Sequence, residues 1–329
     1  MNDRYRQMTG WLDSLGYRDY TLSAASEDAS FRSYLRLECG TGSWILMDAP
    51  PEKERCDRFI DIAKRLRKAR LSAPEIIQQD QVQGFLLLTD LGSSDYLSVL
   101  DTNSEGLLYA DALAALLRMQ TSIDSDDLPA YGEQLLLQEM DLFRDWFLAE
   151  LLGIELDASQ QAQWLSIKQI LVQNALEQPQ VFVHRDYHSR NLMKIDDHNP
   201  GILDFQDAVK GPITYDLVSL LRDCYIDWPA RRVDQLALDF YESARNNELV
   251  DVKSAKFLRW FNLMGIQRHL KAIGIFARLK IRDGKHGYLK DIPRALGYIE
   301  QVSAEEINMT WLYSLISELG LKLRIKALL

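Results

Sequence analysis

His184-Arg185-Asp186-Tyr187-His188-Ser189-Arg190-Asn191 follows the apolar run Val181-Phe182-Val183, and Asp204-Phe205 follows Gly201-Ile202-Leu203 a short way downstream. These brief apolar pieces, with Leu192-Met193-Lys194-Ile195 between them, read as short strands punctuated by dense polar clusters and the Asn199-Pro200-Gly201 turn. Upstream, the first quarter of the chain is strand-like at residues 20–25, 31–37, 43–47, 75–77 and 84–89, with one helical pattern over residues 52–70 in which Phe59, Ile60, Ala63, Leu66 and Ala69 share a face. Beyond Ser94 the periodicity is helical at residues 105–120, 132–152, 158–175, 213–225 and 252–279. A small sheet with one helix, followed by a larger helical part, predicts an α+β fold.

The chemistry follows from the residue types. The first stretch fits H-R-D-x-x-x-x-N and the second supplies the Asp-Phe of a metal loop, which together hold a base and two magnesium ligands for phosphoryl transfer. That reaction needs little covalent chemistry and much positioning, so charge must surround the transferred group from several sides. Asp186 is the expected proton acceptor, and Asn191 and Asp204 offer the hard oxygens that Mg²⁺ prefers.

Composition removes other classes. The 329 residues carry 38 basic and 48 acidic side chains, a net charge of -10 that repels nucleic-acid backbones and anionic lipid. The arginines and lysines at 65, 67, 68 and 70 lie at helical spacing and read as a solvated face. Cys39, Cys56 and Cys224 form no CxxC pair and read as reduced thiols. No secretory leader or membrane span is visible, so a cytoplasmic protein acting on small molecules, without an obligate protein partner, is expected.

The loop resembles that of the aminoglycoside phosphotransferase and choline-kinase group of small-molecule kinases, which share the protein-kinase fold. His188 stands where a protein kinase usually has lysine, and only a dozen or so positions separate Asp204 from Tyr215-Asp216-Leu217, too few for a long activation segment. The resemblance implies two lobes, residues 1–90 binding nucleotide and residues 91–329 carrying catalysis and substrate. It further implies ATP and Mg²⁺ as cofactors, a hinge at Thr89-Asp90-Leu91 whose backbone bonds adenine, a phosphate-covering turn at Ser26-Glu27-Asp28-Ala29-Ser30, and a helix aspartate, Asp216, that steadies the catalytic loop.

One departure is plain: the third strand, Ser43-Trp44-Ile45-Leu46-Met47, lacks the family's lysine, with Met47 near the expected place. Either another cation, foremost Arg32 with Lys53 and Arg55 behind it, replaces that charge, or the chain is a pseudokinase that binds a partner. The former is preferred, since a pseudokinase has no need of base and metal ligands together. Ala-Ser-Phe-Arg-Ser-Tyr at 29–34, Leu-Met-Asp-Ala-Pro-Pro at 46–51, Leu-Leu-Leu-Thr-Asp-Leu-Gly at 86–92 and Ile-Leu-Asp-Phe-Gln-Asp-Ala at 202–208 resemble the bacterial cell-wall-recycling kinases that phosphorylate N-acetylmuramic acid and N-acetylglucosamine at C1. Aminoglycosides and choline-like alcohols are the competing acceptors. Sugar contacts are expected among Gln206, Asp207, His188, Gln267 and Arg268, with Arg144 or Arg268 suited to a lactyl carboxylate. In the stretch from Glu139 to Phe147 the apolar residues read as core and the charges as facing water.

Overall fold

The computed structural model describes residues 3–26, 31–40 and 42–329; positions 27–30 of the expected phosphate-covering turn lie outside them. Helix α1 (Asp3–Ser14) precedes strands β1 (Thr21–Ser26), β2 (Ser33–Cys39) and β3 (Gly42–Asp48), then α2 (Cys56–Lys68), β4 (Ile76–Asp80), β5 (Phe85–Thr89), α3 (Tyr96–Val99) and α4 (Glu105–Ser122). Next come α5 (Glu133–Leu142), which runs on as a π-helical stretch Phe143–Leu151, α6 (Ala158–Leu176), β6 (Gln180–Val183), β7 (Leu192–Met193), β8 (Gly201–Ile202) and β9 (Val209–Pro212). The chain closes with α7 (Tyr215–Leu221), α8 (Ala230–Asn246), α9 (Ser254–Asp283), α10 (Ile292–Glu305), α11 (Thr310–Glu318) and α12 (Leu321–Lys326). The architecture is α+β, as the run of short strands followed by long helices implies. No helix among the described residues is long and apolar enough to cross a membrane. Two compact units form, Met1–Ala115 with Arg190–Asp207, and Leu116–Ser189 with Ala208–Leu329.

In the first unit the five strands make an antiparallel sheet in the order β1-β2-β3-β5-β4. Alternation sends Leu37, Leu46, Phe85 and Leu87 to a core that α1 caps with Met8, Trp11 and Leu12. Arg4 of α1 closes that edge, with Nε 3.0 Å from an Asp48 oxygen and its guanidinium 4.4 Å from the Phe85 ring centre. Gly84 permits the turn into β5: its φ is +76°, and a Cβ there would fall 1.9 Å from the Ala49 carbonyl oxygen. Helix α2 buries Phe59, Ile60, Ile62, Ala63 and Leu66 and begins at Cys56, four residues later than its periodicity suggests, because Pro50 and Pro51 lead into turns first.

The second unit is built around α9, thirty residues long and buried on most sides by α5, α6, α7, α8 and α10. Phe261, Met264, Ile273 and Phe276 form the apolar stripe that the sequence predicts. Its middle also buries Gln267, Arg268, His269 and Lys271, polar groups that must find partners inside the protein. The expected long helix over 132–152 switches from i→i+4 to i→i+5 hydrogen bonding at Phe143, where Gly274 of α9 lies against the backbone of Leu142: a Cβ on Gly274 would sit 2.3 Å from the Leu142 carbonyl carbon.

Two outcomes follow from this packing. Gly274→Ala is expected to lower stability by about 1–3 kcal/mol despite the better helix propensity of alanine, because backbone cannot move aside. Gly10→Ala in α1, where nothing lies within 4 Å, gains up to about 1 kcal/mol, and urea midpoints of the two variants measure the contrast. Burial and the neighbouring Arg268 push the pKa of His269 down to about 3. The folded ring therefore stays neutral while the unfolded one titrates near 6.5, so its contribution is complete above about pH 6.5 and declines as pH falls toward 3, by about 1.4 kcal/mol per unit. Urea titrations across that range should show this slope reduced in His269→Gln.

Candidate active site

Strand β6 pairs antiparallel with β9, Val183 opposite Val209, and releases the chain at His184 into a loop that has no ladder of its own. Its backbone donors are taken by two buried carboxylates flanking α7. Asp216, in the first turn of that helix, accepts from the amides of His184 at 2.6 Å and Arg185 at 3.0 Å. Asp223, just past the helix end, accepts from the Ser189 amide at 3.0 Å and the Ser189 hydroxyl at 2.5 Å. Burial pushes the Asp216 carboxyl up to about 7, against the pull of the two amides. Arg185 turns with φ of +80°, and the Asp186 amide donates to Nδ1 of His184 at 3.2 Å.

Asp186 lies among basic side chains. Burial raises its pKa, but Lys271, His188, Arg185 and His184 outweigh that and hold it below the ordinary carboxylate range, which leaves an ionised oxygen able to receive a proton from a hydroxyl. His188 lies edge-on to Tyr225, ring centres 5.5 Å apart. The charges of the 139–147 stretch do not all face water as expected: Glu139 is buried, because Arg185 at 2.5 Å, Lys271 at 3.2 Å and the Tyr131 hydroxyl satisfy its carboxylate. Arg144 does stay at the surface, 2.7 Å from Asp145 and 3.1 Å from Asp141. Gln267 and Arg268 turn inward, the amide donating to the Tyr131 hydroxyl at 3.3 Å and the guanidinium to Ser219 Oγ at 2.5 Å.

Asn191 and Asp204, the expected metal ligands, belong to the first unit. Strands β7 and β8 form a two-rung hairpin, Leu192 opposite Ile202, and the Leu203 amide extends it to the Asn191 carbonyl at 2.9 Å. This ladder brings Asn191 Nδ2 within 3.3 Å of Asp204 Oδ2, while Gln206 Nε2 holds the other Asp204 oxygen at 2.8 Å. Phe205 anchors the turn, fully buried, with its ring 4.8 Å from Phe59 of α2. Asp207 next to it is exposed. The Asn191 side chain donates its amide nitrogen to the Asp204 carboxylate here; an amide and a carboxylate are the oxygen-bearing side chains that would suit Mg²⁺. No cage of three or more His, Cys, Asp or Glu able to hold a metal occurs among the described residues.

In the same unit Asp90 is committed to protein groups: Arg36 Nε at 2.7 Å, Ser43 Oγ at 2.5 Å and the Gly92 amide at 2.9 Å. Burial raises its pKa, and these donors lower it further than burial lifts it. Thr89 uses its hydroxyl to accept from the Glu75 amide at 2.9 Å, and Leu91 packs where a side chain on Gly201 would intrude. Met47 is fully buried in β3. Arg32 is nearly buried and pairs with Glu54 at 2.8 Å, just ahead of α2. Asp223, Glu139 and Glu54 carry no sequence signal, since each meets its partner through the fold and lies in no motif.

The chain matches the model of the phosphotransferase enzyme family over residues 21–248. It is 44% identical over 328 residues to an N-acetylmuramate/N-acetylglucosamine kinase of Pseudomonas aeruginosa, with 96% of this chain and 97% of the relative covered. A protein of the same name from Neisseria meningitidis is 40% identical, with 96% of both chains covered. A choline kinase from Streptococcus pneumoniae shares the fold with a TM-score of 0.65 at 11% identity, covering 90% of this chain and 99% of the other. The likeness that the loop motif first suggested thus extends over the length of the chain, which is a kinase and belongs to the phosphotransferase enzyme family.

Proposed function

We propose that this kinase transfers the γ-phosphate of ATP, with Mg²⁺, to the anomeric C1 hydroxyl of N-acetylmuramic acid and N-acetylglucosamine, giving sugar 1-phosphates for peptidoglycan recycling. The observation that carries the reading is the 44% identity across nearly the whole chain to a relative named for these two sugars. By role the chain divides into residues 1–90 for nucleotide and 91–329 for catalysis and substrate, a division distinct from that into compact units.

Asp186 receives the proton of the acceptor hydroxyl. An anomeric hydroxyl is more acidic than an ordinary alcohol, so an ionised aspartate suffices as base, in accord with its depressed pKa. Asn191 and Asp204 hold Mg²⁺, which supplies neutralisation of the charge that builds between phosphoryl oxygens and nucleophile. Gln206 orients Asp204 through the bond at 2.8 Å. Arg32, kept straight by Glu54, stands in for the missing strand lysine toward the nucleotide phosphates. The hinge of Thr89, Asp90 and Leu91 bonds adenine through its backbone, since the Asp90 side chain is already engaged. His188, Asp207 and Arg144 are the sugar contacts. Gln267 and Arg268 stand with them as sugar contacts, although their side chains here donate to the Tyr131 hydroxyl and to Ser219 Oγ.

Asp186→Asn is expected to lower kcat by about 10²–10⁴-fold with an unchanged melting temperature. The acceptor is tested with ADP formation over a panel of free amino sugars, their methyl glycosides, aminoglycosides and choline. Free N-acetylglucosamine and N-acetylmuramic acid should react and give a phosphate hydrolysed by dilute acid. Phosphorylation of the methyl glycosides, whose C1 oxygen is blocked, or an acid-stable product, would overturn the C1 assignment.

A further inference from the structure

Lys271 is a cation in the middle of α9, 8% exposed, on a helix that otherwise reads as core. Burying an ammonium group is unfavourable unless anions and hydrogen-bond acceptors replace its water. Those found here converge on the catalytic loop. Lys271 Nζ lies 3.2 Å from Glu139 Oε1 and donates to the Tyr215 hydroxyl at 3.0 Å. The same Glu139 oxygen takes Arg185 at 2.5 Å, and its other oxygen takes the Tyr131 hydroxyl. Tyr215 immediately precedes Asp216, which fixes the amides of His184 and Arg185. One buried carboxylate on α5 therefore ties a cation of α9 to the residue adjoining Asp186, and one tyrosine of α7 ties that cation to the clamp.

We propose that Lys271 and Glu139 form a positioning pair for the phosphoryl-transfer base: Lys271 supplies a fixed buried positive charge behind the catalytic loop, and Glu139 holds that charge and Arg185 together on one carboxylate. The proposal rests on the reading of Asp186 as the group that receives the acceptor's proton. Glu139 leaves neither oxygen for substrate, so its part is structural order at the base, and Lys271 is a positioning residue with no contact to the reacting atoms. The charge arrangement agrees. Burial works to discharge Lys271, yet Tyr215, Glu139 and Asp186 keep its pKa above the ordinary value despite the opposing Arg185. Reciprocally, Lys271 stands first among the cations that keep Asp186 ionised. A salt bridge serving stability alone has no reason to lie at the base; a hydrophobic replacement of similar volume often serves as well or better.

The test is steady-state kinetics of the full chain with ATP and N-acetylglucosamine, alongside melting temperatures. Lys271→Met should lower kcat by at least about tenfold with KM for both substrates within about twofold, since the lost interaction acts on the transition state. Lys271→Arg, which keeps the charge, should recover kcat to within about threefold of the parent. Glu139→Gln should lower kcat in the same way, and the double variant should fall no further than the worse single one, the signature of two residues acting as a unit. Variants that melt earlier but keep the parental kcat per folded molecule would overturn the proposal, as would additive losses. If Lys271→Met does not fold, Glu139→Gln decides, and a parental kcat there defeats the pair. Parental turnover in Asp186→Asn would instead remove the reading of the base itself; an inactive Asp186→Asn beside a fully active Lys271→Met would remove the pair alone.

Discussion

The loop that carries Asp186 exists in its present form because α7 offers a carboxylate at each end. A segment leaving a short buried strand has no ladder to satisfy its amides, and unpaired buried amides are unfavourable by about 1–3 kcal/mol each. Asp216 answers two of them and Asp223 a third, each through its carboxyl oxygens. The arrangement explains why a helix of seven residues is buried on every side: Tyr215 to Leu221 are all inaccessible, and the helix works as a fixed post. Removing either carboxylate would leave loop donors without acceptors in an environment that water does not readily reach.

The first unit places its cations away from the strand position where a lysine is expected. The strand position expected to hold lysine is filled by Met47, opposite Leu86 in an apolar stretch of sheet where a charge would have no partner. A guanidinium does appear nearby in the same unit, as Arg32 braced by Glu54. Two further arginines of this unit brace carboxylates, Arg4 of α1 on Asp48 and Arg36 of β2 on Asp90. Arginine suits these places because its planar fork can satisfy an acid and a second acceptor at once, as Arg36 does with Asp90 and the Gly92 carbonyl at 2.9 Å.

Much of this was legible in local pattern. In the sheet β2 announces itself by alternation and β3 and β5 by continuous apolar runs, and β6, β7 and β8 by brief apolar runs that stop at polar clusters. Asp186, Asn191 and Asp204 follow those strands within the pattern H-R-D-x-x-x-x-N and the Asp-Phe pair, so residue type and spacing together single them out. What failed to show is of two kinds. Helices α8 and α10 to α12 have readable amphipathic faces, such as Val233, Leu236, Ala237, Phe240 and Tyr241, but no chemistry draws the eye to them. Glu139, Asp223 and Lys271 are illegible in principle, because an acid or lysine in a helical stretch looks solvated until the fold brings 46 or 132 residues of separation to contact, as for Glu139 with Arg185 and with Lys271. The π-helical turn after Leu142 is hidden likewise, since its cause is Gly274 on another helix.

The two loops share a backbone trait. Arg185 and Asp204 both adopt left-handed angles, with φ of +80° and +60°, a conformation that side chains resist by about 1 kcal/mol or more. Glycine is the ordinary remedy, yet at each place the side chain is engaged, the guanidinium on Glu139 and the carboxylate between Asn191 and Gln206. Lineages under pressure to withstand heat therefore have no easy gain to take from these two positions. Glycine at either place would relax the backbone and surrender the bonds that its side chain now makes.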